Sequence, residues 1–216
     1  MTARSGVVYL VGAGPGDPGL ITARAIELIE SADVILHDRL IPSGALDASR
    51  GDAELVYVGK RPGEAAMPQE EIESLMVARA RAGRRVVRLK GGDPFTFGRG
   101  GEEAEAMAAA GVPFEVVPGV TAGVAAPAYA GIPVTHRDDA SAVAFVTGHE
   151  DPDKEDSALD WEALARFPGT LVVYMGVKQL PEIAQRLVAA GRDPREPAAA
   201  VERGTLSGQR TVTAPL

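Results

Sequence analysis

The chain of 216 residues contains no cysteine, only three histidines and few aromatic residues. Without cysteine it can form no disulfide bond, use no thiolate nucleophile and build no cysteine-bound zinc site. The histidines are His37, His136 and His149, and none of them share the spacing of metal ligands. We therefore expect a protein that holds no metal.

Long apolar runs and an excess of positive charge are also missing. No apolar stretch approaches the ~20 residues of a membrane-spanning helix, and the N-terminus lacks the basic-then-apolar pattern of a secretion signal. The formal net charge of -8 argues against broad nucleic-acid binding. We expect a cytoplasmic protein that binds neither membrane nor nucleic acid, although a local basic cleft could still bind an anionic substrate.

Short apolar segments alternate with segments of helical periodicity along the chain, which predicts an α/β fold with a mostly parallel sheet. Strands are predicted at 7–11, 33–37, 54–58, 86–90, 114–117, 143–147, 170–175 and 199–201. Helices are predicted at 22–31, 69–81, 101–110, within 121–130, near Trp161 and at 179–190. Because Gly131, Ile132 and Pro133 interrupt the pattern, we predict an N-terminal domain at 1–133 and a C-terminal domain at 134–216.

A glycine turn follows the strand at 86–90 and is the most informative segment. Gly91 and Gly92 let another group approach the backbone closely, and Asp93 and Pro94 shape the turn. Ligands of open α/β sheets bind at the carboxyl ends of the strands, where this turn lies. The segment predicts a binding site, although a tight turn without a ligand would have the same sequence.

A second glycine turn, at 12–19, invites comparison with dinucleotide-binding loops because Asp38 ends the following strand. The third glycine of that fingerprint is replaced by Asp17, which would repel phosphate. Pro15 removes a backbone N–H from the loop. The sequence therefore disfavours a nicotinamide cofactor.

Seven segments together resemble the tetrapyrrole methylase family, and within it the uroporphyrinogen-III C-methyltransferases. They occur in the family's order and spacing over almost the whole chain, so the resemblance is specific. The segments are 12–18 (Gly-Ala-Gly-Pro-Gly-Asp-Pro), 37–40 (His-Asp-Arg-Leu), 58–61 (Val-Gly-Lys-Arg), 87–100, 118–122 (Pro-Gly-Val-Thr-Ala), 130–137 and 174–176 (Tyr-Met-Gly).

The resemblance implies two α/β domains of the class III methyltransferase type, with the cofactor in the cleft between them, and a homodimer. It implies transfer of methyl groups from S-adenosylmethionine to two pyrrole carbons of uroporphyrinogen III. The products would be precorrin-2, for siroheme and cobalamin synthesis, and S-adenosylhomocysteine.

The resemblance also assigns residues. Asp38 would be the proton acceptor and Lys60 the proton donor, although Asp38 could instead pair with Arg39 or Arg61, and Lys60 could only bind substrate carboxylates. Asp93 could cap its own turn, and Met175 could be ordinary core. The cofactor contacts would be Pro15, Gly91, Gly92, Asp93, Thr96, Thr121, Ala122, Met175 and Gly204.

The substrate carries carboxylates and demands local positive charge. The candidate substrate-binding residues are Lys60, Arg39, Arg61, Arg99, His136 and Arg137. We expect at least two of these six to be ordinary surface charges.

Two features depart from the family. Glu64, Ala65 and Ala66 stand where many members have histidine, and the family continues beyond Leu216 through another helix and an apolar strand, which we expect the second domain to lack.

Two other functions remain open on the sequence. A sister methylase acting on a later corrin precursor or on a nucleic acid would share the cofactor motifs. A non-catalytic binder of tetrapyrrole or of the methyl donor would also retain most of them.

Overall fold

The structure, a computed structural model, describes residues 6–59, 67–149 and 159–216. Contacts group the chain into two units, Met1–Ala122 and Gly123–Leu216. This division lies earlier than the boundary predicted after Pro133. It places most of the helix predicted within 121–130 in the second unit, where the Gly123 N–H donates to the Tyr174 hydroxyl over 2.8 Å. Lys60, Arg61, Glu64, Ala65 and Ala66, to which the sequence assigned roles or family differences, lie outside the described residues.

The first unit is built on a parallel sheet of five strands in the order β3-β2-β4-β1-β5. The strands are β1 (Val7–Gly12), β2 (Val34–His37), β3 (Glu54–Tyr57), β4 (Arg85–Lys90) and β5 (Phe114–Val117). The helices are α1 (Ala23–Ser31), α2 (Gln69–Arg81) and α3 (Gly100–Ala109). The predicted parallel α/β arrangement is confirmed.

Alternation along the central strands sorts their side chains between two apolar cores. Tyr9 and Val11 pack with Leu28 and Ile29 of α1. Val8 and Leu10 point to the opposite face, where the second core includes residues of α2 and α3 (Ile72, Met76 and Met107). Every residue of β1 is buried, as expected for a strand covered on both faces.

Local signals set the start of α1. The Thr22 hydroxyl accepts a hydrogen bond from the Ala25 N–H at 3.2 Å, which makes Thr22 the N-cap of the helix. Ahead of it, the Asp17 carboxylate accepts from the Gly19 N–H at 2.7 Å and begins a short 3-10 helix at Pro18–Leu20 that was not predicted. Asp17, in the glycine turn at 12–19, is therefore a capping residue.

The second unit contains α4 (Ala122–Tyr129, whose first residue belongs to the first unit), α5 (Trp161–Ala165) and α6 (Leu180–Ala189). Its strands β6 (Val143–Thr147) and β7 (Thr170–Tyr174) pair in parallel. Strands β8 (Pro197–Glu202) and β9 (Arg210–Pro215) form an antiparallel pair. Strand β9 was not predicted, because all six of its residues are exposed and show no alternation of burial. No helix in the described part of the chain is both long and apolar enough to span a membrane.

The contacts of Asp33, which precedes β2, lead us to expect that folding stability depends on pH in the acid range. Its carboxylate accepts from the Arg85 N–H at 2.8 Å and pairs with the Arg50 guanidinium at 3.0 Å. Hydrogen bonding from the Arg85 side chain is the main cause that lowers the pKa of Asp33 to about 2. Because the folded-state pKa is depressed, this stability is present above the unfolded-state value and is lost as pH falls from about 4 through about 2.

Asp33→Asn is therefore expected to reduce the free energy of unfolding by roughly 2 kcal/mol at pH 7 and by much less near pH 2. Urea denaturation at several pH values measures both. Asp52, which also contacts Arg50, has a 72% exposed side chain, so Asp52→Asn is a control with little expected change. An equal loss for Asp33→Asn at all pH values would contradict this account.

Candidate active site

Three glycine turns meet at the carboxyl ends of β4, β1 and β5. Gly14 and Gly92 exchange backbone hydrogen bonds, with N–O distances of 3.1 and 2.7 Å. A Cβ on Gly119 would lie 2.2 Å from the Gly92 carbonyl oxygen, and one on Gly12 would lie 2.5 Å from the Gly119 nitrogen. Here the backbones of the three turns touch directly, so a side chain at Gly12 or Gly119 would force them apart.

The Asp93 carboxylate joins two of these turns. Its Oδ1 accepts from the Phe95 N–H at 2.9 Å and from the Thr96 hydroxyl at 3.1 Å. Its Oδ2 accepts from the Gly119 N–H at 3.1 Å. Of the two roles considered for Asp93, capping its own turn is what the structure shows, and the Thr96 hydroxyl serves the same turn.

The backbone at Gly91 and Gly92 is open to a ligand. Gly92 has φ of +67°, and the nearest heavy atom to a Cβ built there is the Ala122 nitrogen at 4.0 Å. Neither backbone group of Gly91 has a hydrogen-bond partner within the described ranges. The segment of Thr121 and Ala122 therefore lies beside this opening, and Pro15, partly exposed, occupies the neighbouring glycine turn.

These features suit the chemistry of a sulfonium compound with an amino-acid end. A free carbonyl oxygen at Gly91 can accept from an ammonium group or face a sulfonium without a full counter-charge. The space at Gly92 admits a ligand close to the main chain, where a side chain would fill it. The turn thus fits the group that the resemblance implies.

Asp38 follows β2 and lies in a turn that packs against Gly91. Its Oδ1 accepts from the Leu40 N–H at 2.8 Å. A Cβ on Gly91 would lie 2.7 Å from both Cβ and the carbonyl oxygen of Leu40. The structure therefore brings the predicted proton acceptor next to the predicted cofactor turn.

The other carboxylate oxygen of Asp38 has no hydrogen-bond partner among the described residues. Its Oδ2 is 4.0 Å from Nη2 of Arg88, beyond hydrogen-bond distance, and the side chain is 26% exposed. Arg88 is the one basic partner of Asp38 in the part of the chain that the structure describes, and Arg39, a predicted alternative, is exposed. Lys60 and Arg61 belong to a segment outside the described residues.

Arg88, Lys90 and Glu103 form a buried charge cluster, and Arg88 is its member nearest to Asp38. The sequence analysis did not predict this cluster. Arg88 and Lys90 are each 4% exposed and Glu103 is 0% exposed. Two positions apart on a strand, the two cations point to the same face, towards α3. The sequence did contain a signal for the cluster, because two basic residues alternate with apolar ones in a strand predicted to be buried.

The predicted substrate-binding cations are spread over both units. In the first unit, Arg99 begins α3 and pairs with Glu102, whose pKa is lowered by this hydrogen bond. In the second, His136 lies 2.9 Å from an Asp139 oxygen, and Arg137 is exposed. Arg99 and His136 thus each have a carboxylate partner three positions later in the sequence.

Two predicted cofactor contacts, Met175 and Gly204, lie in the second unit. Met175 follows β7, is 56% exposed and has φ of +59°, so it is not the core residue that its strand-end position allowed. Gly204 lies in the turn between β8 and β9, where a Cβ would come 2.3 Å from Cβ of Ala126. Packing against α4 is therefore sufficient to require glycine at 204.

Strained backbone concentrates in the segments that carry the family resemblance or the predicted contacts. Within the described ranges, five residues other than glycine have positive φ: Phe97, Arg99, Met175, Arg203 and Thr205. Such conformations cost about 1–3 kcal/mol each and cluster at functional sites. Thr205 is the most unusual because it is β-branched. The strain supports a ligand-binding role for the loops at 95–99, 175 and 203–205.

Comparison with known proteins agrees with this geometry. The family model described as Tetrapyrrole (Corrin/Porphyrin) Methylases matches residues 7–216. An S-adenosyl-L-methionine-dependent uroporphyrinogen III methyltransferase from Methanosarcina barkeri is 54% identical over 216 residues, covering 100% of this chain and 85% of that protein. Within the described residues, no group of three potential ligands could hold a metal ion.

Longer relatives and solved structures extend the similarity. A siroheme synthase from Stutzerimonas stutzeri is 56% identical over 98% of this chain, which spans only 45% of that protein. A solved uroporphyrin-III C-methyl transferase from Thermus thermophilus, complexed with S-adenyl homocysteine, is 47% identical with a TM-score of 0.82. The match covers 96% of this chain and 87% of that one.

Proposed function

Because the chain belongs to the tetrapyrrole methylase family, we propose that it is a methyltransferase that methylates uroporphyrinogen III with S-adenosylmethionine. The observation that carries the proposal is the Asp38 carboxylate beside the Gly91 turn, whose Oδ2 has no hydrogen-bond partner in the described part of the chain, in a protein 54% identical to an enzyme of that name. The proposed products are precorrin-2 and S-adenosylhomocysteine, for siroheme and cobalamin synthesis.

The proposed methyl transfer needs no general acid or base at the methyl donor. S-adenosylmethionine supplies an electrophilic methyl group, and a pyrrole carbon of the substrate forms the new C–C bond as the S–CH₃ bond breaks. Holding the substrate in line is then the main contribution of the protein. The methylated pyrrole carries a positive charge and must lose a proton.

Asp38 is positioned to accept that proton at Oδ2, directly or through a water molecule. Its other oxygen is held by the Leu40 N–H, which fixes the orientation of the carboxylate. Lys60 is proposed as the proton donor. The basic residues Arg39, Arg61, Arg99, His136 and Arg137 are proposed to bind the substrate carboxylates.

The cofactor site is proposed to combine backbone and side-chain contacts. The proposed contacts are Pro15, Gly91, Gly92, Asp93, Thr96, Thr121, Ala122, Met175 and Gly204. The backbone of Gly91 would receive the amino-acid end, because its groups are open. The exposed Met175 offers a polarizable apolar surface for adenine. We also propose a homodimer and a cytoplasmic location.

The test is anaerobic incubation of the protein with uroporphyrinogen III and S-adenosylmethionine, followed by mass spectrometry of the tetrapyrrole. We expect a gain of two methyl groups and release of two equivalents of S-adenosylhomocysteine. Omitting either substrate is the control. Binding of the donor by calorimetry without any gain in mass would instead support a sister substrate or a non-catalytic binder, and the absence of both would contradict the proposal.

A further inference from the structure

The buried charge cluster has an uneven hydrogen-bond pattern that fixes its geometry. Glu103 Oε1 accepts from Arg88 Nε at 2.9 Å, from Lys90 Nζ at 2.9 Å and from Gln69 Nε2 at 3.3 Å. Glu103 Oε2 is buried and has no hydrogen-bond partner among the residues that the structure describes. Leaving a buried carboxylate oxygen without a partner costs stability, so a purely structural acid would be expected to use both oxygens.

Charge balance links this cluster to Asp38. The cluster holds two cations and one anion, and Asp38 completes the balance from 4.0 Å beyond the Arg88 guanidinium. Burial, followed by the nearby Arg88 charge, lowers the pKa of the Lys90 ammonium, while Glu103 acts in the opposite direction. The electrostatic environment on the buried side of Asp38 therefore depends on Glu103.

The Glu103 contact also restrains Arg88. Arginine commonly binds a carboxylate with two parallel hydrogen bonds, which would occupy the oxygen that has to take the proton. Here the bond from Nε to Glu103, together with one from Nη1 to the Leu89 carbonyl oxygen at 3.3 Å, keeps Nη2 at 4.0 Å from Asp38. At this distance the guanidinium faces the Asp38 carboxylate without covering its oxygen.

We propose that Glu103 is a positioning residue for the reaction. By binding Arg88, it holds the guanidinium close enough to Asp38 to stabilise the carboxylate and far enough to leave Oδ2 open for a proton. This inference rests on the proposed methyltransferase activity. It adds a residue of α3 that is fully buried and cannot touch the substrate.

Glu103→Gln tests the proposal because it keeps the shape and removes the charge. We expect kcat, measured as S-adenosylhomocysteine release, to fall about 10- to 100-fold, which is less than the loss of a general base itself would cause. The dissociation constant for S-adenosylmethionine should stay within about twofold, since Glu103 bonds the side chains of Arg88, Lys90 and Gln69 and not the Gly91 backbone. Glu105→Gln, an exposed change on the same helix, is the matched control and should leave both values unchanged.

Repeating the Glu103→Gln substitution in a Lys90→Met variant separates an effect on the position of Arg88 from a loss of folding stability. Glu103→Gln leaves two buried cations without their anion and should lower Tm, whereas adding Lys90→Met removes one of those cations and should recover part of the loss. The positioning role requires the same fold loss in kcat from Glu103→Gln in both backgrounds. If the loss in kcat disappears in the Lys90→Met background, if Glu103→Gln leaves kcat unchanged, or if donor binding weakens instead, the inference is overturned.

The wild-type assay keeps this failure distinct from failure of the proposed function. A wild-type protein that does not methylate uroporphyrinogen III would overturn the proposed function, and the positioning role with it. A wild-type protein that methylates normally, with a Glu103→Gln variant equally fast, would overturn only the inference about Glu103.

Discussion

Asp38→Asn is expected to lower kcat by about 10²- to 10⁴-fold, the usual contribution of a positioned general base. Asparagine can still accept the hydrogen bond from the Leu40 N–H, so the turn that packs against Gly91 should persist. It cannot accept a proton at the position of Oδ2. The measurement is the initial rate of S-adenosylhomocysteine release under anaerobic conditions with saturating uroporphyrinogen III.

The dissociation constant of S-adenosylmethionine for Asp38→Asn should remain within about twofold of the wild-type value, because the predicted donor contacts are retained. Asp47→Asn, a change of the same chemistry at an exposed position of the first unit, should leave the rate unaltered. A rate for Asp38→Asn within about threefold of wild type would show that another group takes the proton.

Gly119→Ala is expected to be the most damaging small substitution at the carboxyl edge of the sheet. The new Cβ would lie 2.2 Å from the Gly92 carbonyl oxygen and 2.8 Å from backbone atoms of Gly12. Because these contacts are with backbone, all three turns would have to move. We expect a loss of about 3 kcal/mol or more in the free energy of unfolding and a loss of donor binding.

Thermal denaturation and calorimetry measure these two effects, and the fall in Tm should be roughly 6–12 °C. Gly101→Ala is the matched control, since nothing lies within 4 Å of a Cβ built at that position of α3. It should stabilise the helix by about 0.5–1 kcal/mol. Equal behaviour of the two variants would refute the close packing of the glycine turns.

Most elements of the fold could be predicted because their signals are local. The ranges 69–81, 114–117 and 143–147 coincide with α2, β5 and β6. The strand β9 could not be predicted, since pairing with β8 rather than an apolar pattern holds it in place. The division between the units was also not local, because Gly123 contacts Tyr174 much later in the chain.

The candidate site shows the same contrast. The glycine motifs and Asp38 could be found because a strand followed by such residues brings them to one edge of a parallel sheet. The hydrogen bond from the Gly119 N–H to the Asp93 carboxylate could not be predicted, because the two residues are 26 positions apart in the sequence. The exposure of Met175 was likewise invisible in an apolar segment.

The sequence by itself determined most of the strands and helices, the loops that carry the predicted site and the family to which the chain belongs, because each depends on neighbouring residues or on motif spacing. Only the tertiary structure decided how the glycine turns pack and how Glu103 meets Arg88 and Lys90. Those contacts join residues from separate elements, and their energy depends on distance, burial and charge in three dimensions.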